Sequence, residues 1–203
     1  MIVGMWNKSV ILTYVGMGAA VVGMCIAISG LELKYAIICL IIAGVADLFD
    51  GSVARRVKRT EDEKSFGVQI DSLVDVLSFI ALPITIFTAA GLNKPYHMVL
   101  FVLFAVCGVA RLGYFNVITA DTEKAVKYYI GLPVTYCALV FSLVYLLSYA
   151  VTEDVFAVIS AAAVFVVSLL EIFKINVIKP KGIAYAFFGV LAVALLIVYL
   201  AVV

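Results

Sequence analysis

The sequence predicts an all-α, polytopic integral membrane protein forming one domain over residues 1–203, and three observations carry that expectation. Hydrophobic residues make up 66% of the chain, against about 45–50% apolar residues in an ordinary soluble domain, and mean hydropathy is +1.23. Apolar runs recur at lengths near the ~20 residues that a helix rising about 1.5 Å per residue needs to cross a bilayer. The charged residues, 13% of the total, collect between those runs. A soluble globule is excluded, and a net charge of +1 lacks the clustered basic excess that nucleic acid demands.

Taken in order, the apolar runs bounded by charges, Gly and Pro predict seven helices at about 9–29, 33–57, 66–90, 95–117, 130–150, 154–173 and 182–203. The first lacks a small-residue cleavage site and is followed by further spans, so it reads as a transmembrane helix rather than a removed signal. No linker is long enough to separate domains, and no low-complexity tract or internal repeat is visible. The loops fix a direction through the positive-inside rule. With the N-terminus inside, Lys8, Arg55, Arg56, Lys58, Arg59, Lys64, Lys124, Lys127, Lys174, Lys179 and Lys181 are cytoplasmic, and only Lys34 and Lys94 are external. The C-terminus is then expected outside. Cys25, Cys39, Cys107 and Cys137 fall inside apolar runs with no Cys-x-x-Cys spacing and read as core filler.

The chemistry concentrates in one hairpin. A carboxylate inside a span costs about 2.5–3.5 kcal/mol on insertion scales, so an intramembrane Asp is a functional hypothesis. Asp47 and Asp50 stand at i and i+3 near the end of the second helix, and Asp71 and Asp75 at i and i+4 near the start of the third. Each pair therefore shares a helical face. A basic loop joins the two helices, so all four acids can converge at one depth. Carboxylates that close repel unless cations neutralise them. Hard oxygen ligands select Mg²⁺ or Mn²⁺, with Ca²⁺ as an alternative, and the lack of His or thiolate argues against zinc. Gly51, Ala54 and Gly67 withdraw side chains beside the acids. That placement suits close ligand approach, since each helical Gly costs about 1 kcal/mol against Ala; close helix packing is the alternative reading. Arg55 can fork onto a phosphate, or anchor the inner face.

These residues spell DLFDGSVAR from Asp47 to Arg55 and GVQIDSLVD from Gly67 to Asp75. Together they resemble the DxxDGxxAR…GxxxDxxxD signature of the CDP-alcohol phosphotransferases. The eleven residues between the halves, RVKRTEDEKSF, exceed the usual form by three, a cheap insertion in a hydrophilic loop. DSLVDVLSF, RLGYFNV from Arg111 and YYIGLPVTY around Pro133 are similar to stretches of the phosphatidylserine synthase branch. ILTYVGM, with Thr13, is similar to that branch's opening but lacks its proline. The resemblance spans most of residues 9–140.

The resemblance implies a six-helix bundle, here with about one extra helix, in a multi-pass cell-membrane protein whose site faces the cytoplasm. It implies metal ligation by Asp47, Asp50 and Asp71, with Asp75 as a ligand or as the general base, and a CDP-lipid bordered by Gly51, Ala54, Arg55, Gly67 and Thr13. The implied reaction moves a phosphatidyl-type group from CDP-diacylglycerol, or a CDP-linked ether lipid, to the hydroxyl of L-serine with release of CMP. Arg111 is the candidate partner of the serine carboxylate, or an inside-positive anchor. A homodimer among membrane lipids is implied as well. Two alternatives are weighed beside it. A sister transferase using glycerol 3-phosphate or inositol phosphate needs a larger basic pocket, and an ion or proton transporter places its acids near the midplane beside broken helices. Other residues read plainly: His97 as a wetted external-loop residue, Trp6 and many of the tyrosines as interfacial, and Glu171 as the partner of Lys174.

Overall fold

The computed structural model describes residues 3–120, 128–178 and 183–201. Among the described residues eight α-helices run in order: α1 (Ile11–Ile28), α2 (Leu33–Ala54), α3 (Glu61–Asp75), α4 (Leu82–Ala89), α5 (Pro95–Ala120), α6 (Tyr136–Leu146), α7 (Glu153–Ile172) and α8 (Ile183–Ala201). A π-helical segment, Val76–Ala81, joins α3 to α4 without a break, and a 3₁₀ turn, Leu147–Tyr149, extends α6. Among the described residues six helical segments are long and apolar enough to cross a membrane, and Tyr136–Tyr149 is a shorter seventh. The chain is a multi-pass membrane protein. Large apolar residues such as Val22, Phe49, Val102, Phe165 and Leu200 point outward, exposed, because lipid rather than protein is their solvent. Lys124, Lys127, Lys179 and Lys181, four of the expected inside charges, lie outside the described residues.

The helices begin and end for local reasons. Expected from about residue 66, the third helix starts at Glu61, because Thr60 and Glu63 form a capping box. The Glu63 backbone N–H donates to Thr60 Oγ1 at 3.2 Å and the Thr60 N–H to Glu63 Oε2 at 2.8 Å, satisfying two N–H groups the helix would otherwise leave open. Glu61, Asp62 and Glu63 also favour the positive end of the helix dipole. The insertion between the motif halves is thus largely taken up as helix. Farther on, Pro83 has no N–H to give the preceding turn, and Leu82 N–H reaches back to Leu77 O, the wide spacing of a π turn. This turn follows directly on Asp75.

Small residues set how closely the helices approach. Ala20, Ala27, Ala36 and Ala43 are buried between α1 and α2, the most extensively packed pair, and a Cβ on Gly23 would lie 2.9 Å from Cys39 Cβ and from Leu82 Cδ1. Without a hydrophobic drive between helices in lipid, such close van der Waals fit is the main source of cohesion. Phe141 anchors the other side, meeting Phe87 and Phe104 edge-on at 5.2 and 5.6 Å between centroids. The hydroxyl of Tyr199 on α8 donates to the Ser142 carbonyl of α6, which ties the last helix to the bundle.

Three expectations are corrected. Helix was expected across 130–150, but α6 starts at Tyr136, since Tyr128–Ile130 (β1) pairs antiparallel with Asn176–Ile178 (β2). Gly131 follows at φ +76° and Pro133 after it, so the chain turns before it can coil. His97 is 4% exposed rather than wetted. Helix α5 opens at Pro95, so His97 falls in its first turn, where Nδ1 accepts from the Lys94 N–H at 3.4 Å and the ring meets Tyr96. Three of the cysteines are buried as filler, but Cys25 is exposed on α1.

Gly131 carries the sharpest local demand. Leu132 N–H donates to Leu170 O at 2.9 Å, and a Cβ on Gly131 would lie 2.3 Å from Glu171 O. Gly131→Ala is expected to destabilise the fold by about 2 kcal/mol, from the left-handed backbone and the clash together. A melting temperature unchanged in detergent would show that the turn yields freely.

Candidate active site

Helices α2 and α3 run together at the basic loop, and their acidic faces meet. One carboxylate oxygen from each of Asp47, Asp71 and Asp75 lies within 4.8 Å of the others. Asp50 completes the group, its carboxylate against that of Asp71, with Oδ2 accepting a hydrogen bond from Thr13 Oγ1 of α1 at 3.1 Å. Asp50 and Asp75 are the more buried pair, 9% and 8% exposed.

Between the acids lies a cavity of about 10 Å³, lined by all four Asp together with Thr13 and Ser78, about the space of a single water or ion. Ser78, on the π turn, is 1% exposed and its Oγ has no hydrogen-bond partner. Oxygen donors at this spacing, with an unpartnered hydroxyl beside them, fit a hard divalent cation. No Lys or Arg forms an ion pair with these acids among the described residues.

A larger cavity of about 340 Å³ opens from the same acids. Its polar end carries Asp47, Asp50, Asp71, Ser52 and Arg55, and its far end is apolar, with Ile41, Val45, Leu139, Ala192 and Leu195. Arg55 Nη2 donates to Ser52 Oγ at 3.0 Å, and a Cβ on Gly51 would stand 3.4 Å from Arg55 Nη1. Gly51 thus leaves room for the guanidinium to lie across the helix. Gly67 faces Arg59 in the same manner, a Cβ there falling 3.6 Å from Nη1. Gly51 and Arg55 line the larger cavity; Ala54, Gly67 and Thr13 do not.

Arg111 of α5 is 7% exposed. Its guanidinium lies over the rings of Phe115 at 5.0 Å and Tyr129 at 5.8 Å, both of which line the larger cavity. Nε and Nη2 have no hydrogen-bond partner. Asp75 and Asp47 lie within its electrostatic reach. Burial, with Tyr185 and Asp47 nearby, pushes the Tyr129 phenol up to about 12, so it stays a neutral hydroxyl at physiological pH.

Glu171 was expected to pair with Lys174, and it does not. It is 2% exposed, with Cys137 Sγ 3.7 Å from Oε1, while Lys174 is exposed. Helix α7 ends at Ile172 and the backbone extends at Phe173, which carries Lys174 away from the inward face.

Several residues around the site carried no role in the sequence reading. Asn116 Nδ2 donates to Ser72 Oγ at 2.7 Å, fastening α5 to α3 one residue from Asp71. Asn116, Ser72, Ser78 and Tyr129 all sat within the family-like stretches RLGYFNV, DSLVDVLSF and YYIGLPVTY, which marked them without saying what they touch. Tyr185 and Phe188 of α8 line the larger cavity, and only hydrophobicity signalled them.

Comparison with known proteins gives this geometry its context. An archaetidylserine synthase of Methanothermobacter thermautotrophicus is 33% identical over 141 residues, covering 69% of this chain and 58% of that protein. The CDP-diacylglycerol–serine O-phosphatidyltransferase of Saccharomyces cerevisiae is 37% identical over 105 residues, 49% of this chain and 37% of that one. The protein of the same name from Mycobacterium tuberculosis is 32% identical over 104 residues, 49% and 35%. This chain therefore matches little more than half of the archaeal relative and about a third of the others. Residues 6–170, which hold the acid cluster and most of the larger cavity, match the CDP-alcohol phosphatidyltransferase family along their whole length, and the chain belongs to that family.

Proposed function

We propose that the chain transfers a phosphatidyl-type group from a CDP-linked lipid to the hydroxyl of L-serine, releasing CMP. The observation that carries this reading is the junction of the acid cluster with a cavity polar at one end and apolar at the other. A CDP-lipid has the same division, its pyrophosphate and nucleotide charged and its tails apolar. Both names among the relatives contain serine while differing in the lipid, so serine is the acceptor proposed and the tail chemistry is left to the donor.

In this proposal Asp47, Asp50 and Asp71, with Asp75, would hold Mg²⁺ or Mn²⁺, which when bound would supply positive charge against the pyrophosphate and the departing CMP. Thr13 steadies Asp50 through its hydrogen bond. Arg55, over Gly51 at the polar end, receives phosphate oxygens, and Tyr129 offers a neutral hydroxyl. Asp75 is the general base. It lines the inner cavity and not the larger one, and it lies within electrostatic reach of Arg111. Serine with its carboxylate on Arg111 would turn its hydroxyl toward Asp75, which takes the proton as oxygen bonds to the lipid-side phosphorus. A site facing the cytoplasm, beside the basic residues 55–59, and a homodimer complete the reading.

Metal dependence is the first consequence. Purified protein should release no CMP in excess EDTA and recover with Mg²⁺ or Mn²⁺; full turnover without a divalent ion rules out the metal role of the cluster.

Asp75→Asn should lower kcat by about 10²–10⁴-fold, the usual share of a general base, with CDP-lipid binding retained. Asp50→Asn should weaken metal and nucleotide binding as well. Equal loss of donor binding in both variants would make Asp75 a ligand only.

In a panel of acceptors, L-serine should release CMP far faster than glycerol 3-phosphate or inositol phosphate. Arg111→Ala should raise the KM for serine more than that for CDP-lipid, because a buried, charged hydrogen-bond partner typically contributes about 2 kcal/mol or more. Preference for a phosphorylated acceptor defeats the serine assignment while leaving the cluster and reaction class standing.

A further inference from the structure

Among the described residues, Glu171 is the one deeply buried acid that the proposed reaction does not use. It sits in the last turn of α7, and α7 and α5 form the most extensively packed helix pair after α1 and α2. Its backbone is held by the neighbouring turn, through Leu132 N–H on Leu170 O and the close approach of Gly131 to its own carbonyl. The side chain points at α5: a Cβ on Gly108 would lie 3.4 Å from Oε2. Gly108 precedes Arg111 by three residues and so shares its helical face.

Glu171 Oε2 and Arg111 Nε and Nη2 all lack hydrogen-bond partners. A buried carboxyl and a buried guanidinium, each with open hydrogen-bonding positions, thus face one seam. Asp75 at the end of α3, Asp47 on α2 and Glu171 on α7 all lie within electrostatic reach of Arg111. Phe115 and Tyr129 crowd one side of the guanidinium, their ring centroids 5.6 Å apart, so the unpartnered Nε and Nη2 are what remain to meet a ligand. Neither Glu171 nor Arg111 is in the wall of either cavity, but Arg111 lies against Phe115 and Tyr129, which line the larger one, so Arg111 is the one of the two next to that wall.

We infer that Glu171 is a positioning residue for acceptor recognition: its carboxylate, set against α5 at Gly108, holds Arg111 back from the acid cluster so that the guanidinium stays open to the carboxylate of an amino-acid acceptor. The inference rests on the serine reading above. A cation free to fold onto Asp75 and Asp47 would occupy the base and lose its own capacity for an anion. A second acid group, on α7 and facing Gly108 of the same α5 face, opposes that collapse.

The test uses the full-length protein with CDP-lipid and Mg²⁺, comparing L-serine with ethanolamine, which keeps the hydroxyl and amine and lacks the carboxylate. Wild type should favour serine. Glu171→Gln, nearly isosteric, should raise the KM for serine about tenfold, a common coupling between interacting buried groups, leave the KM for CDP-lipid unchanged and shrink the preference over ethanolamine by the same factor. Glu171→Asp keeps the charge and should keep most of the preference, and it decides the matter if the Gln variant does not fold. In an Arg111→Ala background, Glu171→Gln should change acceptor preference no further. Preference intact in Glu171→Gln but lost in Arg111→Ala overturns the role of Glu171 alone, as do equal rises in both KM values, which mark a merely structural effect. A wild type that does not distinguish serine from ethanolamine overturns the serine reading and this inference with it.

Discussion

The constraint on which the structure turns is the repulsion among carboxylates gathered at one helical hairpin. Oxygens of Asp47, Asp71 and Asp75 stand within 4.8 Å of one another. Two like unit charges about 4 Å apart at an effective dielectric near 20 repel by about 4 kcal/mol. Folding free energies are only about 5–15 kcal/mol, so three or four ionised acids here would consume most of a domain's stability. In the proposed reading a cation would neutralise such a cluster, while packing leaves the helices nowhere else to go. The oxygen-only donor set and the small cavity between the acids answer the first need.

The second need is met by side-chain size. Small residues let α1 and α2 close tightly, and Thr13 on α1 then reaches Asp50 with a hydrogen bond. On the opposite side, the Ser72–Asn116 bond joins α3 to α5 beside Asp71. The acids are thereby gripped from both flanks. The π turn after Asp75 belongs to the same arrangement, because a widened turn changes the angular register between the acidic face of α3 and the apolar face of α4, and it brings Ser78 under the cluster.

Polarity is then graded along a path. The larger cavity starts at the acids and Arg55 and ends among aliphatic side chains of α2, α6 and α8. Helix α8 lies beyond the residues that match the family, yet Tyr185, Phe188, Ala192 and Leu195 make up part of its wall. Charge at one end and hydrocarbon at the other is what the proposed nucleotide-linked lipid donor requires.

The amino-acid sequence by itself determined the spans and the acid cluster. Twenty-residue apolar runs have few alternatives in water or lipid, and Asp at i, i+3 on one helix and i, i+4 on the next fixes a shared face whatever the surroundings. The early start of α3 was also written there, in Thr60 and Glu63, although hydrophobicity drew the boundary later. Only the tertiary structure decided which polar groups meet. Hydropathy does not separate an apolar residue that faces lipid from one that faces protein, so exposed Cys25 and buried Cys39 look alike in sequence. Helical periodicity says which residues share a face and not which neighbour that face receives. Glu171 therefore read as a surface partner of Lys174, and His97 as a wetted loop residue, until α5, α6 and α7 packed around them. The short β1–β2 pairing, the unpartnered edge of Arg111 and the contribution of α8 to the cavity wall belong with these, since each depends on contacts between segments far apart in the chain.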